Sequence, residues 1–194
     1  DFLQVVQALN SLFHLDLHEY VMSRFSIILR QESDQIWQRI FTHPFLVELS
    51  KGILPAEKFR YYLKQDHAFL FDFCRFLGLA IPRCETNEQI EYLSEILHSE
   101  FNMEIDMQRN LAKKIGLSVD ELASVEMAPT ALAYTSFLFR AASTGSVGEI
   151  FAAMAPCPLS YVEIAAMLDF PNVKQVPAYS DWLGTYRSEE ARAL

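Results

Sequence analysis

Apolar residues recur at spacings of three and four along most of the chain, which is the period of an α-helix. Clean alternation of apolar and polar residues, the sign of half-buried strands, is missing from the sequence. The pattern predicts helices over residues 2–21, 24–41, 56–80, 87–115, 130–143, 146–155, 158–169 and 178–186. Short connections favour antiparallel neighbours, so we predict an all-α fold, a single-domain helical bundle.

Residue types at the predicted helix ends support these boundaries. Pro82 ends the long apolar helix, because proline lacks an N–H and clashes with the preceding turn. Thr86 is a predicted N-cap and Gly116 a predicted C-cap of the next helix. Ser118 and Glu121 have the spacing of a capping box, which starts a further short helix.

Composition excludes several classes of protein. The chain has 194 residues, of which 51% are hydrophobic and 21% charged, so it can bury a core and is not a disordered segment. The net charge of −9 and the lack of a Lys/Arg cluster argue against nucleic-acid binding. Three cysteines without a CxxC pair argue against a disulfide framework and against a zinc site. They favour a cytoplasmic location, where thiols stay reduced. No apolar run of about 18 residues and no signal peptide are found, which predicts no membrane association.

Asp66 is a polar residue within an unusually apolar helix, KFRYYLKQDHAFLFDFC. A buried carboxylate is costly unless it is paired or hydrogen-bonded. Asp66 is therefore either a structural acid that holds a neighbouring helix or a pocket carboxylate that recognises a polar ligand.

Cys157 lies at a predicted helix start, between Pro156 and Pro158. Free N–H groups and the partial positive charge of a helix N-terminus favour the thiolate, which is the nucleophilic form. The alternative is that Cys157 is a small buried hydrophobic residue.

Three tyrosines accompany these two residues. Tyr161 follows Cys157 by one helical turn, Tyr134 lies in an apolar helix, and Tyr186 closes the segment WLGTY. Each could be a core aromatic or a ligand contact. A di-iron bundle needs repeated Glu-x-x-His motifs, and only Glu95 with His98 fits, so we predict no metal site.

Six segments together resemble the TenA/THI-4 family, the thiaminase II group, which shares its bundle with haem oxygenases. They are THPFL (42–46), GILP (52–55), FRYYLKQDHAFL (59–70), PTALAYTSFLFR (129–140), EIFAAMAPCPLSY (149–161) and WLGTY (182–186). The resemblance implies a haem-oxygenase-like bundle over residues 25–194, preceded by a helical segment, 1–24, that lies outside the match.

The resemblance also implies a function. Family members hydrolyse thiamin, or its aminomethyl and formylaminomethyl pyrimidine breakdown products, to hydroxymethyl pyrimidine in thiamin salvage, without a cofactor. Cys157 matches the family's catalytic thiol and Asp66 the carboxylate that grips the aminopyrimidine. The matching substrate-binding residues are Tyr134, Tyr161, Tyr186 and Phe69. The implied partners are a small aminopyrimidine and further copies of the chain, as a dimer or tetramer.

The chain departs from the family pattern at three places. Phe69 stands where the family has a pocket tyrosine. The family's C-terminal helices, one of which carries a proton-moving glutamate, have no counterpart before Leu194. Residues 1–24 could fill that space and bring Glu19 to the site. These departures favour an alternative, a catalytically impaired pyrimidine-binding or regulatory relative. A metal-dependent oxygenase of the same bundle class is a third interpretation.

Overall fold

The computed structural model describes residues 27–167, Val173 and 176–187. Each regular element in these ranges is helical, which confirms the predicted all-α class. The chain divides into two compact units, Asp1–His43 and Pro44–Leu194. The predicted segment 1–24, with Glu19, lies outside the described residues.

The first unit contributes a helix over 27–32 and helix α1, Asp34–Phe41. Arg30 bonds to Asp34 at 3.1 Å and its guanidinium lies 4.6 Å from the centre of the Trp37 ring. The Trp37 indole N–H donates to Ser33 Oγ at 3.0 Å. This bond links the first turn of α1 to Ser33, the residue that separates the two helices.

The second unit contains nine helices within its described residues. They are α2 (Pro44–Ser50), α3 (Ala56–Ala80), α4 (Asn87–Ser99), α5 (Ile105–Lys114), α6 (Val119–Ala123), α7 (Pro129–Thr144), α8 (Val147–Met154), α9 (Pro156–Met167) and α10 (Pro177–Tyr186). For five helices, the predicted boundaries lie within two residues of the observed ones. These helices are α3, α7, α8, α9 and α10. A 3₁₀ turn, Ile81–Arg83, follows α3 at the proline that was predicted to end it.

Helix α3 is the centre of the second unit, and it packs against α7 most extensively and against α4, α5 and α6. The core that α3 shares with α4, α7 and α8 is apolar and includes Phe76, Leu77, Leu93, Leu138 and Ile150, each no more than 1% exposed. Burial of one such side chain contributes about 1.5–3 kcal/mol, so this cluster fixes how the helices pack. Helix α3 is long enough that its C-terminal end lies in this core while its N-terminal half carries Tyr62 and Asp66.

Side-chain caps satisfy the helix ends. Thr86, Ser118 and Ser146 each form a capping box with the residue three positions later. Arg60 donates to the Ile115 carbonyl from Nε at 2.8 Å and from Nη2 at 2.6 Å, which closes the end of α5. Gly116 follows with φ +72°, a left-handed conformation that glycine adopts without steric cost.

The predicted continuous helix over 87–115 is wrong in its middle. A π-helical segment, Glu100–Glu104, separates α4 from α5. A single wider turn leaves the apolar spacing on either side nearly intact, so periodicity did not reveal it. Such segments occur often at functional sites.

The stretch Val147–Met167, which is α8 and α9 together, has the length and the mean hydropathy, 1.5, of a membrane-crossing helix. This is weak evidence for a membrane span, because core helices meet the same criterion. In the second unit α8 packs against α7, and α9 packs against α10.

Candidate active site

Two residues of α3, Tyr62 and Asp66, are one turn apart and therefore project from the same side of the helix. Three donors surround the Asp66 carboxyl. Gln108 Nε2 of α5 donates to Oδ2 at 2.7 Å, and Tyr161 OH of α9 donates to Oδ1 at 3.2 Å. The Tyr62 hydroxyl makes a longer contact with Oδ2, at 3.4 Å. Asp66 thus joins three helices through side-chain hydrogen bonds.

Helix α10 completes this network. The Trp182 indole N–H donates to the Tyr62 hydroxyl at 2.9 Å, and the hydroxyls of Tyr62 and Tyr161 lie 3.1 Å apart. Since an indole only donates, Tyr62 accepts from it and directs its own hydrogen toward Asp66 or Tyr161.

The pKa of Asp66 is raised from 3.8 to about 6. Burial is the main cause, because it removes water from the charge, and the bonds from Gln108, Tyr161 and Tyr62 oppose it. The carboxyl is therefore charged above about pH 6 and gains a proton in mildly acid solution.

Aromatic rings form two stacked pairs, one of which reaches the carboxyl through the Tyr161 hydroxyl. Tyr161 and Tyr186 stack with centroids 4.5 Å apart, and the Trp182 ring meets both at steep angles. Phe69 and Tyr134 lie nearly parallel, 5.5 Å apart. The Tyr134 hydroxyl donates to the Ala153 carbonyl at 3.2 Å, so this ring is held in place.

Cys157 is the second residue of α9, and the expectation that this position favours the thiolate is wrong. Its pKa is raised well above 9, by burial first and then by the negative charges of Glu100, Asp66 and Glu104. The helix start supplies little compensation. Helix α8 runs almost directly into α9, the Leu159 N–H is taken by the Ala155 carbonyl at 3.3 Å, and prolines occupy two further positions.

Two glutamates of the π-helical segment belong to the site, although the family resemblance assigned no acid in the matched region to proton transfer. Tyr186 OH donates to Glu104 Oε1 at 2.9 Å. Burial and the charge of Asp66 raise the pKa of Glu104 to about 7. Burial and the charges of Glu104 and Asp66 raise the pKa of Glu100 to about 8.

One sequence signal could have found them. Buried Ile96 and buried Gln108 flank the two glutamates at steps of four residues, so all four positions lie along one stripe. The mixed stretch SEFNMEID hid this stripe, because five of its eight residues are polar and resemble a solvent-facing turn.

The charged and nucleophilic groups share a distinctive environment. Asp66, Glu100, Glu104 and Cys157 all keep partial accessibility, yet burial is the largest cause of each raised pKa. Several perturbed titratable groups that interact with one another are typical of an active site.

The described residues contain no group of three or more His, Cys, Asp or Glu side chains arranged to hold a metal ion. Glu95 and His98, the one Glu-x-x-His match, are both exposed on α4.

A family model described as the TENA/THI-4/PQQC family matches residues 30–194. The chain belongs to this family. An aminopyrimidine aminohydrolase of Halalkalibacterium halodurans is 34% identical to it over 171 residues, which is 88% of this chain and 76% of that protein. The aminopyrimidine aminohydrolase of Bacillus subtilis is 28% identical over 84% of this chain and 69% of its own length.

Solved structures of TENA/THI-4/PQQC members share the fold. The TenA homologue of P. horikoshii has a TM-score of 0.80 and 32% identity, over 87% of this chain and 79% of that one. A Silicibacter protein described as a TenA family transcription regulator has a TM-score of 0.80 and 30% identity, over 87% of this chain and 74% of its own.

The six residues that the family resemblance selected lie on four helices of the same unit. Asp66 and Phe69 are on α3, Tyr134 on α7, Cys157 and Tyr161 on α9, and Tyr186 on α10. Direct contacts join Asp66 to Tyr161, Tyr161 to Tyr186, and Phe69 to Tyr134. Electrostatic interaction joins Cys157 to Asp66, Tyr161 and Tyr134. Sequence reasoning missed Tyr62, Glu100, Glu104, Gln108 and Trp182.

Proposed function

We propose that this chain is an aminopyrimidine aminohydrolase of the thiaminase II type, acting in thiamin salvage, with Asp66 as the substrate anchor and Cys157 as the nucleophile. The observation that carries this proposal is that a hydrogen-bonded carboxylate, Asp66, interacts electrostatically with the thiol of Cys157 and bonds to one member of a stacked pair of aromatic rings. An aminopyrimidine presents the complementary features, namely an amino group that donates, a flat electron-poor ring and an electrophilic ring carbon.

Asp66 holds the pyrimidine edge. Its Oδ2 is occupied by Gln108, whereas among the described residues Oδ1 accepts from the Tyr161 hydroxyl alone and has a further lone pair for the substrate amino group. The neighbouring Tyr161 and Tyr186 rings supply a flat surface for stacking. Phe69 and Tyr134 supply a second one. The hydroxyl that tyrosine would add at position 69 is lost here, while the stacking surface remains.

Cys157 acts as the nucleophile only after it loses its proton. Its raised pKa means that the thiol is protonated in the free enzyme. The charge of Glu100 is the largest electrostatic influence on this thiol. With a pKa of about 8, Glu100 is mostly protonated at neutral pH, and its ionised fraction grows as the pH rises toward 8. We propose that this ionised form accepts the thiol proton.

The reaction then proceeds in two steps, loss of the amine and addition of water. The electron pair of the thiolate forms a C–S bond to a ring carbon, and the displaced ring π electrons form a double bond to the methylene. The bond from the methylene to the leaving amine breaks, and the amine takes a proton from a carboxylic acid. Water then adds to the methylene and gives up a proton, and the thiolate leaves the ring. Glu104, with a pKa of about 7, is suited to both proton transfers.

The direct test is incubation with the aminomethyl pyrimidine and, separately, with thiamin, followed by measurement of released hydroxymethyl pyrimidine. We expect turnover with at least one of them. Cys157→Ser should abolish it, and Asp66→Asn should raise KM and lower kcat. Cys84→Ser is the matched control, because Cys84 donates to the Ala80 carbonyl outside the site.

Two outcomes would contradict the assignment. Turnover that survives in Cys157→Ser would exclude the cysteine mechanism. Saturable pyrimidine binding without any turnover would instead support a binding or regulatory relative. Assembly into a dimer or tetramer and a cytoplasmic location stay predictions, the first of which light scattering would check.

A further inference from the structure

Two buried polar side chains, His67 and Gln108, lie directly behind Asp66 and have no part in the proposed chemistry. They are 4% and 1% exposed. His67 Nδ1 lies 2.7 Å from Gln108 Oε1, and Gln108 Nε2 lies 2.7 Å from Asp66 Oδ2. Both distances are short for neutral hydrogen bonds, and the three groups form one chain.

The direction of each bond follows from chemistry. A carboxylate only accepts, so the NH₂ end of Gln108 must face Asp66 when Asp66 is charged. The amide oxygen then faces His67, and this oxygen accepts only. His67 must therefore carry a hydrogen on Nδ1. The opposite tautomer would demand that the amide turn over, which would place its oxygen against the Asp66 carboxylate.

We propose that His67 and Gln108 are positioning residues for Asp66: the Nδ1–H of His67 fixes the direction of the Gln108 amide, and the amide keeps Asp66 a carboxylate whose Oδ1 is left for the substrate. The use of Oδ1 rests on the proposed function, whereas the hydrogen-bond directions are properties of the free protein.

The surroundings of Asp66 explain why such support is needed. Several titratable groups interact with it electrostatically: Tyr62 on its own helix, Glu100 and Glu104 of the π-helical segment, Cys157 and Tyr161 on α9, and Tyr186 on α10. These groups ionise at higher pH than Asp66, so burial is what raises the pKa of Asp66, and the three hydrogen bonds oppose that rise. The bond from Gln108 is the shortest of the three.

The first test is spectroscopic and uses the unmodified protein. The ¹⁵N shifts of the His67 ring show which nitrogen carries hydrogen, and His67→Phe assigns the signal. We expect hydrogen on Nδ1 at pH 8. A bare Nδ1 with hydrogen on Nε2 would overturn the proposal, whether or not the protein hydrolyses any pyrimidine.

The second test follows ionisation of the Asp66 carboxyl by its ¹³C shift, assigned with Asp66→Asn. Gln108→Met fills a similar volume without a donor, so the Asp66 titration should move to higher pH by about one unit. The acid limb of the kcat/KM profile should move with it. An unchanged titration in Gln108→Met would overturn the proposal.

A double variant separates positioning from general loss of packing. His67→Phe alone should move the Asp66 titration in the same direction by a smaller amount. In the Gln108→Met background it should add nothing to that titration, because His67 acts through Gln108. Independent effects on the titration would contradict this. Thr135→Val is the control: Thr135 is 1% exposed and bonds to the Leu132 carbonyl of its own helix, so stability should fall while the titration stays.

Discussion

Glu100 should make the protein less stable as the pH rises from 5 to 8. Its folded-state pKa, about 8, lies above the ordinary value of 4.5. Between these values the unfolded chain ionises this carboxyl and the folded protein does not. The unfolded state therefore binds fewer protons, and the free energy of unfolding decreases with rising pH. Below about pH 4 both states are protonated and the effect vanishes.

The size of the effect follows from the two pKa values. The difference between 4.5 and about 8 corresponds to about 5 kcal/mol at full ionisation, which is an upper limit. Glu100 keeps partial accessibility, and water screens part of its charge. We therefore expect Glu100→Gln to raise the free energy of unfolding by about 2–3 kcal/mol more at pH 8 than at pH 5.

Urea unfolding of the wild type and of Glu100→Gln at pH 5 and pH 8 measures this directly. Glu95→Gln is the control, because Glu95 is exposed on the preceding helix, α4. Its effect should be small and equal at the two pH values. The reasoning would be refuted if Glu100→Gln changed the free energy of unfolding equally at pH 5 and pH 8, or stabilised the protein more at pH 5.

Three further predictions concern single side chains. Glu100→Gln removes the largest charge effect on Cys157, so the pH midpoint of iodoacetamide modification of that thiol should fall; an unchanged midpoint would contradict the assigned interaction. Arg83 donates to the Ala142, Ser143 and Gly145 carbonyls at the end of α7. Arg83→Met should therefore cost about 1–3 kcal/mol in urea unfolding, and no loss would show that water replaces these bonds. Gly116→Ala should cost about 1 kcal/mol by the same measurement because φ is +72°, and a neutral result would mean that the turn relaxes.

Local sequence predicted most of the helices because their signals are local. The residues Thr86, Ser118 and Gly116 mark helix ends through bonds within a few residues of themselves, and apolar spacing marks the faces between them. The π-helical segment could not be predicted in the same way, because its widened turn changes hydrogen bonding while leaving the apolar spacing on either side almost unchanged.

The site was predictable only in part. Asp66 stood out because a carboxyl in an apolar helix needs partners, and the motif around Cys157 resembled a known family. Their partners Gln108 and Glu104 did not stand out, since each lies about 40 residues from Asp66 in the chain and has an ordinary residue type for a helix surface. The packing of α5 and the π-helical segment near α3 is what made them neighbours.

The ionisation of Cys157 shows where the sequence by itself stops. The sequence determined that a thiol lies at a helix start between two prolines, and a helix N-terminus by itself would favour the thiolate. Tertiary structure decided the opposite, because it buries this thiol and brings Glu100, Asp66 and Glu104 close enough to oppose a negative charge. Helix formation depends on neighbours in sequence, whereas the pKa of a group depends on every charge and water molecule that the fold brings to it or removes from it.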